Sequence, residues 1–178
     1  MPNEPDVDLL RRFVRGDRDA FESLFHDFAP EVYRWVVRIV RDPSGAEDAV
    51  IETFWRAYRG RARFDPSRSF GAWMRQIATN VARDQLRAAR HRPGRTIAEP
   101  AALPTSPCAD PDLANLVALA FRALSPKLQI VATLALIEGQ PYAEIAHALG
   151  VPLGTVKSRV SRAVDALRRE LSRLGIRR

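Results

Sequence analysis

Residues 141–171, PYAEIAHALGVPLGTVKSRVSRAVDALRREL, decide the fold of the C-terminal part of this chain. They predict a short amphipathic helix, a turn at Gly150 and a second helix rich in Lys and Arg. The apolar side of the first helix recurs at helical spacing: Tyr142, Ile145, Ala146 and Leu149. The second helix has its own apolar stripe: Val156, Val160, Ala163, Val164, Leu167 and Leu171. Paired apolar stripes of this kind predict a helix-turn-helix.

Another face of the second helix carries polar and basic side chains. These are the candidates for contact with duplex DNA: Thr155, Lys157, Ser158, Arg159 and Arg162. Hydroxyl and guanidinium groups on one helix face can reach phosphates and base edges in a major groove. The alternative is a helix pair whose charged side merely faces water. Residues 151–178 hold eight Lys and Arg against two Asp and Glu, and this bias favours DNA binding.

Composition narrows the class of protein. Hydrophobic residues make up 46% of the 178 residues, which is ordinary for a globular protein, and the net charge of +7 favours a polyanionic partner. The single cysteine, Cys108, excludes an intramolecular disulfide and a multi-Cys zinc site, and the three histidines are scattered. We therefore expect no metal and no cofactor.

The same composition bears on location. No apolar run approaches the roughly 20 residues of a membrane span, and the acidic N-terminus MPNEPDVD is unlike a signal peptide. We therefore expect a cytoplasmic protein that does not insert into membranes.

Proline and charge divide the chain. Residues 93–111 hold five prolines, which favours a flexible linker over helix or strand. The net charge is −4 for residues 1–58, +7 for 59–92, −2 for 93–112 and +6 for 113–178. We predict an all-α protein with two small helical domains, 1–92 and 112–178, joined by the Pro-rich linker 93–111.

Helical periodicity places eight helices in these domains. They are predicted at 6–15, 18–41, 44–59, 67–91, 112–123, 126–138, 141–149 and 152–173. For the second helix, a break around Pro30 is left open. Ser44 is predicted to cap the third helix in a capping box with Glu47, and Ser125 is predicted to cap the sixth. Pro152 suits the first position of the last helix.

The helix at 44–59 is predicted to have one buried face: Ala46, Ala49, Val50, Thr53, Phe54 and Ala57. Its opposite face mixes carboxylates with large apolar side chains: Glu47, Asp48, Ile51, Glu52 and Trp55. Such apolar groups are costly to leave in water and indicate a protein contact. The alternative is that another helix of the same domain covers them. Because the face is acidic, a basic protein partner fits it and nucleic acid does not.

The segment at 61–91 combines arginines, aromatics and amides, which suits binding of unpaired DNA. The candidate contacts are Arg61, Arg63, Phe64, Arg68, Gln76, Asn80, Arg83 and Arg87. The helix at 67–91 must also bury an apolar face, predicted as Phe70, Trp73, Ile77 and Val81. For Phe64, a core position and a DNA contact are both open.

Together these segments resemble the extracytoplasmic-function (ECF) sigma factors, the short two-domain members of the bacterial sigma-70 family. The resemblance covers about residues 5–92 and 112–175. Four motifs in family order carry it: GDRDAFESLFHDFAPEVYRW (16–35), AEDAVIETFWRAY (46–58), FGAWMRQIATNVARDQLR (70–87) and LGVPLGTVKSRVSRA (149–163).

The resemblance implies a role for each surface. The first domain would be sigma region 2, whose 44–59 helix docks on the β′ clamp helices of core RNA polymerase. The segment 61–87 would open the −10 promoter element and hold the non-template strand, chiefly through Asn80 and Arg83. The second domain would be region 4, which reads the −35 element and meets the β flap. An anti-sigma factor is a further implied partner, and no catalytic step is implied.

Other interpretations remain. An ordinary helix-turn-helix regulator would leave the acidic–apolar helix and the Arg–aromatic segment unexplained. A sigma-mimicking adaptor that titrates an anti-sigma factor would not need the basic C-terminal face. An enzyme would have only His26–Asp27 as an acid–base neighbour pair, which a surface histidine explains better. Cys108 is a chance linker residue or an oxidant sensor.

Overall fold

The computed structural model describes residues 4–90 and 111–176, and every regular element among them is helical. The predicted all-α class is therefore confirmed. The helices are α1 (Val7–Val14), α2 (Arg18–Val40), α3 (Pro43–Gly60), α4 (Phe70–Arg90), α5 (Pro111–Ala123), α6 (Pro126–Ala132), α7 (Tyr142–Leu149) and α8 (Leu153–Arg173). Cys108 and residues 93–110 of the predicted linker lie outside the described residues. Within the described part, no helix is long and apolar enough to cross a membrane.

The chain divides into two compact units, Met1–Gln85 and Leu86–Arg178. The division falls inside α4, before the Pro-rich segment begins. The domain limits 1–92 and 112–178 stay predictions.

Aromatic rings form much of the core of the first unit. Phe70, the first residue of α4, packs edge-on against Phe13 of α1 at 5.8 Å and Phe28 of α2 at 5.0 Å between ring centroids. A second group joins α2 to α3, where Phe25 lies 4.7 Å from Phe54. Burying a side chain of this size contributes about 1.5–3 kcal/mol. The rings thus fix three helices around the start of α4.

Helix α2 continues without a break through Pro30, although a proline removes one helical hydrogen bond. Pro30 is exposed, so water can reach the carbonyl that loses its partner. On the opposite side, the buried Leu24, Phe28 and Val32 form one continuous stripe past the proline. Packing of that stripe explains why the helix persists.

The N-cap of helix α3 lies two residues before the predicted one. Asp42 is the N-cap: its carboxylate accepts a hydrogen bond from the Gly45 N–H at 3.1 Å, and Pro43 takes the first turn. The predicted Ser44 cap, with its capping box to Glu47, is therefore wrong. The predicted buried face of this helix is confirmed in full: Ala46, Ala49, Val50, Thr53, Phe54 and Ala57.

In the second unit, α8 packs against α5, α6 and α7. The core there includes Ala120, Leu124, Ala132, Ala163 and Leu167. Residues Thr133–Ile137 form a π-helical turn where the sequence predicted that the α-helix would continue to 138. Ser125 is the N-cap of α6 as predicted, although its side chain makes no capping hydrogen bond.

Candidate nucleic-acid and protein-docking surfaces

The outward face of α3 is apolar at its centre. The Ile51 and Trp55 side chains are 66% and 54% exposed, so the described helices leave them uncovered. Glu47 and Asp48 are also exposed, and Glu52 is half-buried. The alternative in which a neighbouring helix of the same domain covers Ile51 and Trp55 does not hold in this structure. We call these five residues the α3 surface.

Arg56 joins the α3 surface to α4. Its Nε lies 2.7 Å from Glu52 Oε1, and its Nη1 lies 2.8 Å from Asp84 Oδ2. Hydrogen bonds to Asp84 and then to Glu52 raise the pKa of Arg56 above its ordinary value. The Arg56 guanidinium therefore holds Glu52, a carboxylate of the α3 surface, against α4. This is the helix that carries candidate contacts to unpaired DNA.

The segment between α3 and α4 is anchored at its start by Arg61. The guanidinium lies 4.2 Å from the centre of the Tyr58 ring and donates to the Tyr58 carbonyl at 2.8 Å. Gly16 has a φ of +89°, and a Cβ there would lie 3.0 Å from Arg61 Nη2. Arg61, which the sequence offered as a DNA contact, is thus engaged by the protein's own surface in this structure.

Phe64 is buried as well, with only 6% of its surface exposed. Its ring lies 4.7 Å from Trp73 and 5.6 Å from Phe70, between centroids. Of the two roles left open for Phe64, the structure gives it the core position, because the ring completes the aromatic cluster at the start of α4.

Two cations of the same segment face outward. Arg63 and Arg68 are both exposed, and Arg68 lies 3.7 Å from Asp65. The Asp65 carboxylate accepts hydrogen bonds from the Ser67 N–H and hydroxyl, at 2.9 and 2.7 Å. These two bonds lower the pKa of Asp65. We call residues 61–69 the basic loop; its ends are anchored and its cations are presented to solvent.

Helix α4 carries the remaining candidates on one side. Gln76 and Arg87 are exposed, whereas Asn80 and Arg83 are half-buried. The opposite side is buried through a set that differs from the prediction: Phe70, Met74, Ala78, Thr79, Val81 and Ala82. Trp73 and Ile77 are half-buried instead of fully buried, because the packed stripe is rotated by about one residue.

Two polar contacts fix the register of α4 against α2. Arg75 Nη1 lies 3.0 Å from Glu31 Oε1, and both side chains are largely buried. The Trp35 indole N–H donates to the Thr79 hydroxyl at 3.0 Å. A slip of α4 along α2 would leave these buried polar groups without partners, which costs free energy. The two contacts therefore hold the candidate DNA-binding face of α4 in place.

The helix-turn-helix forms as predicted, with small shifts. Gly150 ends α7 with a φ of +61°, the left-handed conformation that glycine tolerates best. Pro152 is the N-cap of α8 and not its first helical residue, so the helix begins one residue later than predicted. Of the predicted stripes, Ile145, Ala146, Val156, Val160, Ala163 and Leu167 are buried. Leu149, Val164 and Leu171 are half-buried, and Tyr142 is exposed.

The candidate DNA face of α8 is open. Lys157, Ser158 and Arg162 are exposed, while Thr155 and Arg159 are half-buried. The Ser158 hydroxyl donates to the Thr155 carbonyl at 3.0 Å. Within the described residues, the three cations of this face form no ion pair. They are thus available to phosphates or base edges.

The sequence did not reveal the residues whose contacts fix the α3 surface, the basic loop and α4 in position. Arg56, Asp84 and Glu31 act through partners in other helices, and local periodicity carries no signal for such pairs. Glu4, which contacts the start of α4, was missed for the same reason. Among the described residues, no group of three or more potential metal ligands comes together.

Known families match both parts of the chain. The family Sigma-70 region 2 matches residues 24–92, and the family Sigma-70, region 4 matches residues 114–167. The RNA polymerase sigma factor CarQ of Myxococcus xanthus is 35% identical over 168 residues, which cover 93% of this chain and 97% of CarQ. The ECF RNA polymerase sigma factor SigW of Bacillus subtilis is 30% identical over 178 residues, which cover 91% of this chain and 94% of SigW.

Solved structures are also similar. CnrH, in complex with the cytosolic domain of CnrY, has a TM-score of 0.56 and 26% identity, covering 95% of this chain and 96% of CnrH. The sigma factor RpoE of Bartonella quintana, in complex with the anti-sigma factor NepR, has a TM-score of 0.53 and 26% identity. That match covers 87% of this chain and 98% of RpoE.

Proposed function

The chain belongs to the ECF group of the sigma-70 family, and we propose how its surfaces divide the task of starting transcription. As a sigma factor it directs transcription initiation and is a non-enzymatic subunit of RNA polymerase. One observation carries the division: the chain has an exposed apolar–acidic face on α3 and a basic face on α8 whose cations pair with no carboxylate of the described residues. The first suits a protein, the second DNA.

The α3 surface is proposed to dock on the β′ clamp helices of core polymerase. Ile51 and Trp55 would supply the apolar centre, and Glu47, Asp48 and Glu52 the charged rim. Interfaces typically combine an apolar centre with a polar rim. Acidic rim charges would also steer the approach of a basic partner.

The basic loop and α4 are proposed to bind the opened −10 element. Arg63 and Arg68 would follow the phosphates, and the face of α4 would hold the non-template strand: Gln76, Asn80, Arg83 and Arg87. Arg61 and Phe64 would support the loop from inside. Unstacking a base step costs a few kcal/mol, which capture of the freed strand would offset.

The face of α8 is proposed to read the −35 element. Its contacts would come from Thr155, Lys157, Ser158, Arg159 and Arg162. Phosphate contacts would give salt-dependent affinity, and few side chains would carry base specificity. By the family resemblance, the same region would also meet the β flap.

An anti-sigma factor is proposed as the controlling partner. The similar RpoE of Bartonella quintana was solved with the anti-sigma factor NepR. We propose that this chain is likewise held inactive by such a protein, and that it acts in the cytoplasm with core polymerase.

Run-off transcription tests the proposal. The full chain is added to core polymerase on a promoter library in which the −35 and −10 elements are randomised. We expect transcripts from one class of promoter only. Duplex binding without polymerase binding would indicate an ordinary regulator. Anti-sigma binding without DNA binding would indicate a mimic. If core polymerase responds to a known sigma factor but not to this chain, the proposal fails.

A further inference from the structure

The N-terminus of helix α4 is capped by Glu4, a residue near the start of the chain. Glu4 Oε2 accepts a hydrogen bond from the Phe70 N–H at 3.0 Å, and Glu4 Oε1 accepts one from the Ser69 hydroxyl. The Ser69 Oγ in turn accepts from the Ala72 N–H at 3.2 Å. The first N–H groups of a helix lack helical partners, and a negative charge there is favourable. The carboxylate and the hydroxyl together satisfy two of these N–H groups, those of Phe70 and Ala72.

The same contact fixes one end of the basic loop. At its beginning, the loop is held by Arg61 on Tyr58 and by the buried Phe64. At its end it passes through Ser69 directly into α4, and Glu4 contacts it there. Between these anchors lie the exposed Arg63 and Arg68. The positions of both cations therefore depend on anchors at each end.

We propose that Glu4 is a positioning residue for capture of the opened −10 strand. It holds the end of the basic loop and the first turn of α4 in the conformation that binds unpaired DNA. This inference rests on the proposed function of the loop. It makes the N-terminal segment, which lies outside both DNA-binding faces, a part of the strand-binding apparatus.

If charge were the only contribution of Glu4, it would lower the affinity for unpaired DNA. A carboxylate beside a phosphate-binding loop repels DNA, so its removal would raise strand affinity if charge were its only contribution. Loss of a positioning contact lowers affinity instead. The sign of the change thus separates the two roles.

The experiment uses holoenzyme assembled from core polymerase and the full chain. Glu4→Ala removes both acceptors, Glu4→Gln keeps one oxygen acceptor, and Ser69→Ala removes the intervening hydroxyl. Asp6→Asn is the matched control, because it makes the same charge change as Glu4→Gln in the same segment at an exposed side chain. Affinity is measured for an unpaired −10 oligonucleotide and, separately, for a duplex −35 fragment. Thermal unfolding is followed in parallel.

We expect Glu4→Ala to lower affinity for the unpaired strand about 3–10-fold, the scale of losing a helix cap. Glu4→Gln should lower it less. Glu4 and Ser69 act in one network. The double variant Glu4→Ala/Ser69→Ala should therefore bind the unpaired strand only slightly more weakly than either single variant. Duplex −35 affinity should not change, and Asp6→Asn should bind the strand at least as tightly as the parent.

Three results would overturn the inference. One is a rise in strand affinity for Glu4→Gln equal to that for Asp6→Asn, which would leave only a charge effect. Another is a fall in strand affinity that merely follows a smaller folded fraction and lowers −35 binding equally. The third is a parent holoenzyme that binds the −35 duplex but no unpaired strand, which would refute the assignment of the basic loop itself.

Discussion

Asp17 shows how a single half-buried side chain links local structure to pH. Its Oδ2 lies 2.8 Å from Arg12 Nε, and its Oδ1 accepts from the Ala20 N–H at 3.0 Å, capping α2. The hydrogen bond from Arg12, followed by that from Ala20, lowers the pKa of Asp17 from 3.8 to about 2. Arg12 belongs to the end of α1, so the carboxylate also ties α1 to α2.

The sign of the resulting pH dependence follows from the lowered pKa. A carboxyl group whose pKa is lower in the folded state stabilises the fold above its unfolded pKa. That contribution is lost as the pH falls through the folded value, here between about 4 and about 2. We predict that Asp17→Asn, which keeps a cap but loses the charge, melts below the parent at pH 7. The difference should shrink as the pH approaches 2. Melting temperatures are measured by circular dichroism. A difference between variant and parent that stays constant as the pH falls would contradict this prediction.

Arg159 is the half-buried cation of the α8 face. We predict that Arg159→Ala weakens binding to the preferred −35 duplex by about 1–3 kcal/mol, the range for a bidentate base contact. Competition among −35 variants measures this. Arg168→Ala is the control, because Arg168 lies half a turn away around α8 and pairs with Asp165 at 3.7 Å. If parent and Arg159→Ala rank and bind all −35 sequences alike, Arg159 makes no base contact.

At the scale of elements, the α3 surface can be tested without disturbing the core. Trp55 is more than half exposed and does not belong to the buried core, so Trp55→Ala removes little packing. We predict an unchanged melting temperature and a loss of core-polymerase affinity of at least about 2 kcal/mol, as for a central aromatic anchor. Pull-down titration with core polymerase measures the loss. Val7→Ala, another exposed apolar side chain of this unit, should bind as the parent does. Parental binding by Trp55→Ala would remove the docking assignment.

Local sequence was enough to predict that the elements exist. Seven of the eight predicted helices are continuous α-helices whose ends differ from the prediction by up to three residues, because apolar periodicity directly reflects a buried face. The remaining helix changes to a π-helical turn at Thr133–Ile137, a change that periodicity of 3.6 does not encode. The rotated stripe of α4 has a similar origin, since its register depends on Glu31 and Trp35 in α2.

For the candidate surfaces, sequence predicted composition better than contacts. The exposed Ile51 and Trp55 were identified because apolar groups among carboxylates stand out in any helical projection. Arg61 was not separable from Arg63 by spacing, although the structure anchors the first on Tyr58 and exposes the second. Such sorting depends on residues brought together by the fold, and a single sequence does not reveal them.

For the whole molecule, charge segregation assigns the α3 surface and the α8 face to different ligands. The net charge is −4 over residues 1–58, which contain the α3 surface, and +6 over residues 113–178, which contain α8. An acidic segment favours a basic protein and disfavours DNA, while a basic one does the reverse. The two surfaces can therefore bind different partners in one complex without competing for either.

This separation predicts additivity between the two surfaces. Trp55 is proposed to contact polymerase and Arg159 to contact DNA, so each variant removes a contact that the other leaves intact. We predict that the double variant lowers run-off transcription by the sum of the two single free-energy changes, within about 0.5 kcal/mol. The measurement is a double-mutant cycle at subsaturating polymerase and promoter. A coupling energy well above that limit would mean that polymerase docking and −35 binding depend on one another, and the division between the surfaces would then be wrong.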